Sequence, residues 1–89
     1  MRESYLEVTF RHGRPLAAYL YLPREPGEES ARTSKAEPGM IIDFGRSGKP
    51  IGVELTAPTK VTLSALNRVL EELGQPPLRD ADLEPLQAA

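Results

Sequence analysis

Gly39-Met40-Ile41-Ile42-Asp43-Phe44-Gly45-Arg46-Ser47-Gly48-Lys49-Pro50-Ile51-Gly52-Val53-Glu54-Leu55 is the stretch that decides the fold. Met40, Ile42 and Phe44 alternate with Ile41 and Asp43. Beyond the connector, Ile51, Val53 and Leu55 alternate with Gly52 and Glu54. Strand side chains point to opposite faces with a period of two, so each arm has one strongly apolar face. Gly45 to Pro50 holds two glycines and a proline, residues suited to the unusual φ angles and fixed bends of a hairpin loop. The stretch reads as two β-strands joined by a polar turn.

The same alternation lies on the N-terminal side. In Tyr5 to Phe10, Leu6, Val8 and Phe10 oppose Tyr5, Glu7 and Thr9. In Leu16 to Leu22, Leu16, Ala18, Leu20 and Leu22 oppose Ala17, Tyr19 and Tyr21. Arg11-His12-Gly13-Arg14-Pro15 between them is a turn by composition, so an antiparallel hairpin is the economical reading. Pro23 to Pro38 is polar. Its first part, Pro23 to Gly27, reads as an exposed, mobile loop, and Ser30 to Lys35 reads either as a short polar edge strand or as loop.

On the C-terminal side the periodicity changes. Leu63, Leu66, Leu70 and Leu73 recur at steps of three and four, with Val69 beside them, which predicts one amphipathic helix. Thr62, or Thr59 a turn earlier, supplies an N-cap hydroxyl. Gly74 followed by Pro76-Pro77 ends the helix. Arg79 to Leu86 is expected to form at most one more turn, capped by Asp80, with the last few residues frayed.

The expected fold class is α+β: an antiparallel sheet of four or five strands, built from two hairpins, with one α-helix packed on one face. The chain reads as a single domain: hairpin 1–22, polar loop or short edge strand 23–38, hairpin 39–55, linker and helix 56–74, and tail 75–89. The expected core is Leu6, Val8, Phe10, Leu20, Leu22, Met40, Ile42, Phe44, Val53, Leu55, Leu63, Leu66, Leu70 and Leu73.

Composition narrows the function classes. The 89 residues carry a formal charge of −2, which gives no general attraction to nucleic acid or anionic lipid. The chain has no cysteine, which excludes disulfides and thiolate metal sites. The first residues lack the apolar core of a signal peptide and no run approaches a membrane span, so a cytoplasmic location is expected.

The strand ending Tyr19-Leu20-Tyr21-Leu22, the segment Gly39 to Phe44 and the segment Pro50 to Leu55 together resemble a known family. The most specific part is hydrophobic-Asp-x-x-x-x-Gly-x-x-hydrophobic-Gly-hydrophobic-Glu, here Ile42-Asp43 through Gly48 to Ile51-Gly52-Val53-Glu54. Over about residues 5–55 the chain is similar to the small prokaryotic proteins grouped as domain of unknown function 2283, with a longer intervening loop than is usual there. The resemblance implies the fold and a prokaryotic, cytoplasmic origin. It brings no activity, cofactor or catalytic residue.

Few residues point to chemistry. Gly45 to Pro50 superficially resembles a phosphate-binding loop, but Pro50 stands where a hydroxyl residue is needed and a strand follows instead of a helix. His12 is the only histidine and sits between Arg11 and Arg14, which disfavour a cation or a bound metal there. Asp43 and Glu54 should share the sheet face away from the helix, solvated or paired with Arg32 or Lys35 rather than acting as an acid–base pair. Glu25, Glu28 and Glu29 form a solvated acidic loop. No catalytic, metal or cofactor-binding residue is assigned, and an enzyme is disfavoured.

Tyr5, Tyr19, Tyr21 and Ile41, with Thr9, fall on that same uncovered face and form the candidate interface. The expected function is a non-enzymatic protein-interaction or self-associating module, present as a homodimer through the sheet face or an edge. The alternative is a small nucleic-acid-binding regulator or antitoxin-like protein, using the aromatic platform with Arg11, Arg14 and Arg46. The acidic balance and the absence of a basic cluster weigh against it. Gly74 to Pro77 and the turn after it faintly resemble helix-turn-helix, but Asp80, Asp82 and Glu84 make a poor recognition element.

Overall fold

The computed structural model describes residues 4–87, Gln87 without its side chain. Its strands are β1 (Tyr5–Arg11), β2 (Arg14–Tyr21), β3 (Arg32–Lys35), β4 (Met40–Phe44) and β5 (Pro50–Leu55). A 3₁₀ turn at Pro58–Lys60 leads into helix α1 (Leu63–Glu72), and a second 3₁₀ turn at Asp80–Leu83 runs into helix α2 (Glu84–Gln87). The strands form one five-stranded sheet in the order β1-β2-β5-β4-β3, with every neighbour antiparallel. The α+β class holds, with five strands, and the open question at Ser30 to Lys35 resolves as an edge strand over Arg32–Lys35.

Register puts the apolar positions on one face. Leu6, Leu20, Val53 and Ile42 lie side by side across four strands. Leu20, Leu22, Ile51, Val53, Leu55, Leu66 and Leu70 are fully buried between sheet and helices. Helix α1 begins as its sequence directs: the Thr62 hydroxyl accepts from the Ala65 N–H at 3.1 Å. It ends at Gly74, whose φ of 72° lets the Gln75 N–H reach the Leu70 carbonyl at 2.8 Å and the Gly74 N–H reach Glu71 at 3.0 Å. These two bonds satisfy carbonyls that the last turn leaves open.

Three features differ from the sequence reading. The first is Phe10, expected in the core but 45% exposed. Strand β5 pairs with β2 only over Ala18–Tyr21, so the β1–β2 hairpin runs on past its neighbour as a two-stranded arm. Phe10 lies on that arm, beyond anything that covers the core face. The turn at its end is tighter than five residues. Arg11 pairs with Arg14, and His12 and Gly13 take positive φ of 53° and 76°, the signs of a two-residue hairpin turn.

The second difference is the C-terminal segment, which is no tail. Leu83 and Leu86 are buried and join the core cluster, alongside Ala18 and Val69, which the expected core also omitted, as it did the buried Ile51. Leu63 and Leu73, at the ends of the stripe, are only half-buried against it. Asn67 on α1 holds the segment in place: its side-chain amide donates to the Leu78 carbonyl at 3.1 Å and accepts from the Leu78 N–H at 2.7 Å. The cap residue is Arg79 rather than Asp80, with the Asp82 carboxylate accepting from the Arg79 N–H at 2.8 Å. The expected fraying at the extreme C-terminus concerns 88–89, which lie outside the described residues.

The third is the loop after β2, which is exposed as expected at Pro23 and at Glu25, Pro26 and Gly27 but tied at both ends. The Arg24 guanidinium donates to the Ile51 carbonyl. Glu28 accepts from the Ser47 hydroxyl at 3.1 Å and lies over Gly45, where an added Cβ would come within 2.2 Å of its carboxylate oxygen. The Ser47 hydroxyl is thus tied across to the β2–β3 loop, and its own turn is closed by the Gly48 N–H donating to the Gly45 carbonyl at 3.0 Å. The resemblance to a phosphate loop ends there.

Candidate interaction surface

Both helices pack on one face of the sheet, and the opposite face collects the residues singled out by sequence. Cross-strand pairing sets two rows on it: Tyr5, Tyr21, Gly52, Asp43 and Thr33, then Glu7, Tyr19, Glu54, Ile41 and Lys35. The four candidate interface residues therefore share one surface. Tyr5 is 49% exposed, and Tyr19, Tyr21 and Ile41 are half-buried.

The tyrosines pack on one another. The Tyr5 and Tyr21 rings stack with centroids 4.5 Å apart and 13° between planes. Tyr19 meets Tyr21 edge-on at 4.7 Å and 68°, and the Arg24 guanidinium sits 5.3 Å from the Tyr21 centroid. Offset stacks, edge-to-face pairs and a cation over a ring are each favourable for aromatic quadrupoles.

Tyr19 also reaches sideways across the sheet. Its hydroxyl donates to the Asp43 carboxylate at 2.7 Å, two strands away. The path crosses β5 at Gly52, where an added Cβ would come within 1.9 Å of the Tyr19 hydroxyl oxygen. Glycine there is a requirement of the ring's path. Asp43 and Gly52, two fixed points of the sequence pattern quoted above, thus belong to one arrangement completed by Tyr19.

Asp43 and Glu54 share this face, as their alternation implies, and the partner of Asp43 is Tyr19. Arg32 does not serve Asp43. It pairs with Phe44, on the other face, and its guanidinium lies 4.0 Å from that ring's centroid. The Asp43 carboxylate is held by the Tyr19 hydroxyl, and Glu54 on the same face is exposed. No group of three or more His, Asp or Glu able to hold a metal ion occurs among the described residues. His12 is exposed at the hairpin tip.

The arginines are not brought together either. Arg11 and Arg14 sit at the hairpin tip, beyond the end of the sheet marked by Leu55, whereas Arg46 lies in the β4–β5 turn at the opposite end. The segment after Pro77 forms a 3₁₀ turn over Asp80–Leu83 and a four-residue helix over Glu84–Gln87, with Leu83 and Leu86 buried in the core. No helix among the described residues is long and apolar enough to cross a membrane.

Burial, first, and the hydrogen bond to Asp43, second, push the Tyr19 phenol up from 10.0 to about 12. Tyr21 is raised as well, by desolvation and then by the charge of Glu7. The unfolded chain releases the Tyr19 proton near 10.0 and the folded chain near 12, so between those values the folded state binds more protons. Stability therefore falls as pH rises through that window and is fully present below it. Ultraviolet titration of the phenolates should show one tyrosine ionising last. Asp43→Asn should bring it part of the way back, because burial remains; an unchanged late tyrosine would remove Asp43 as a cause.

No family model matches the chain, and neither a curated protein nor a solved structure matches it.

Proposed function

We propose that the protein is a non-enzymatic interaction module that associates with a second copy of itself as a homodimer, in the cytoplasm of a prokaryote. One observation carries this reading. The large apolar side chains that remain exposed among the described residues are Tyr5 at 49%, Phe10 at 45% and Leu16 at 53%, and all three stand on the β1–β2 hairpin. Tyr5 lies on the uncovered face and Phe10 on the helix-bearing face, but both flank the unpaired outer edge of β1, where a second chain would cover them. A small domain gains most from burying such a surface, since its own core is limited. The prokaryotic, cytoplasmic setting is part of the proposal and rests on the sequence resemblance over about residues 5–55 alone.

Light scattering at micromolar concentration should give twice the mass of one chain. The double variant Tyr5→Ser, Phe10→Ser should give the mass of one chain with an unchanged far-ultraviolet spectrum. A wild-type mass equal to one chain at high concentration would discard self-association. Co-purified nucleic acid with a monomeric protein would favour the regulator reading instead.

A further inference from the structure

We infer that the second copy adds along the outer edge of β1, antiparallel to its counterpart and centred on Val8, so that two sheets become one; this rests on the self-association proposed above. The two edges of the sheet are unequal. Strand β3 has four residues, Arg-Thr-Ser-Lys, all exposed. Shortness, lysine and charge are the usual protections of an edge against further pairing. Strand β1 has seven residues, Tyr-Leu-Glu-Val-Thr-Phe-Arg, and only Glu7 and the terminal Arg11 are charged. No described strand pairs with its outer side.

Symmetry and the pleat then fix the register. An antiparallel pair of identical edges has its two-fold axis normal to the sheet, so opposed residues share a face. Centring on Val8 places Leu6 opposite the other copy's Phe10 and Tyr5 opposite its Arg11, and uses the whole strand. Centring on Glu7 would set two glutamates against each other, which is unfavourable. Centring on Thr9 would leave Tyr5 and Leu6 unpaired.

The contacts made in the Val8 register suit both faces. On the core side, a cleft of ≈ 200 Å³ is lined by Tyr5, Leu6, Leu20, Leu78, Ala81 and Pro85, with Ser4 and Asp82 completing it. The other copy's Phe10, paired with Leu6, arrives beside this mostly apolar cleft and loses its exposure. On the opposite face, Arg11 lies across from its own chain's Arg14, a like-charge rung with no described carboxylate in an ion pair with either. In the dimer that guanidinium comes next to the other copy's Tyr5 and diagonal to its Glu7, offering a ring face and a carboxylate.

The chain's lack of cysteine allows a direct test. Val8→Cys places two thiols across the axis, with Cα atoms at about 4.5–5.5 Å in an antiparallel pair, within the disulfide range of about 4.4–6.8 Å. Mild oxidation should convert this variant to a covalent dimer, while Glu54→Cys, on the exposed face of the interior strand β5, should stay uncrosslinked. Phe10→Glu, on the projecting arm outside the core, should weaken dimerisation at least about tenfold without changing the circular dichroism. Suppose instead that the wild type is dimeric, Val8→Cys fails to crosslink and Phe10→Glu still dimerises. Then the edge geometry is wrong while self-association stands. A wild type that is monomeric throughout would remove both.

Discussion

Deleting residues 79–89 should leave a chain that is largely unfolded at room temperature. The deletion removes Leu83 and Leu86, 4% and 8% exposed, which cover the helix-bearing face of the sheet beside β1. Burying a leucine side chain is worth about 1.5–3 kcal/mol, so the two together contribute about 3–6 kcal/mol. A domain of this length has a total stability of about 4–13 kcal/mol at ordinary values per residue. The deletion also exposes Leu6 and Leu20, which line the cleft beside this segment. Chemical denaturation of the deletion variant, and of the full-length double variant Leu83→Ala, Leu86→Ala, measures the effect with and without loss of backbone. A deletion variant with the wild-type midpoint would make the segment the dispensable tail that its sequence suggests.

Leu66→Ala should cost about 2–5 kcal/mol, the range for removing a large aliphatic side chain from a core that closes only partly around the cavity. Leu66 is 0% exposed and lies one turn into α1, where helix and sheet meet. Leu63→Ala should cost clearly less, because Leu63 is half-buried at the helix start. The pair of measurements tests the direction of the stripe as well as its burial. A loss under about 1 kcal/mol at Leu66, far below the core range, would mean that another face of the helix meets the sheet.

The two outcomes differ in how readable they are from the chain itself. Leu66 belongs to a stripe at helical spacing, and its burial follows from a pattern contained within the helix. Leu83 and Leu86 come after Pro76-Pro77 and sit among three carboxylates, Asp80, Asp82 and Glu84, without an extended apolar period. Their burial depends on an underside left open by α1 and on Asn67 gripping the Leu78 backbone from eleven residues away.

The sequence by itself determined what short-range pattern encodes: the alternating strands, the single leucine stripe, the Thr62 cap, the Gly74 stop and hence the α+β class. Each of these is a relation among residues within a few positions of one another, where backbone geometry alone sets which side chains share a face. It also determined that Tyr5, Tyr19, Tyr21 and Ile41 would share the uncovered face. Tertiary structure decided how far each strand is backed by its neighbours. Phe10 is exposed because β5 stops pairing at Leu55, a fact about a different strand. Tertiary structure also joined Tyr19 to Asp43 over Gly52, since only the register of three strands brings those positions into line. Local pattern fixes the face on which a residue lies; the lateral extent and register of its neighbours fix whether that face is covered, and by what.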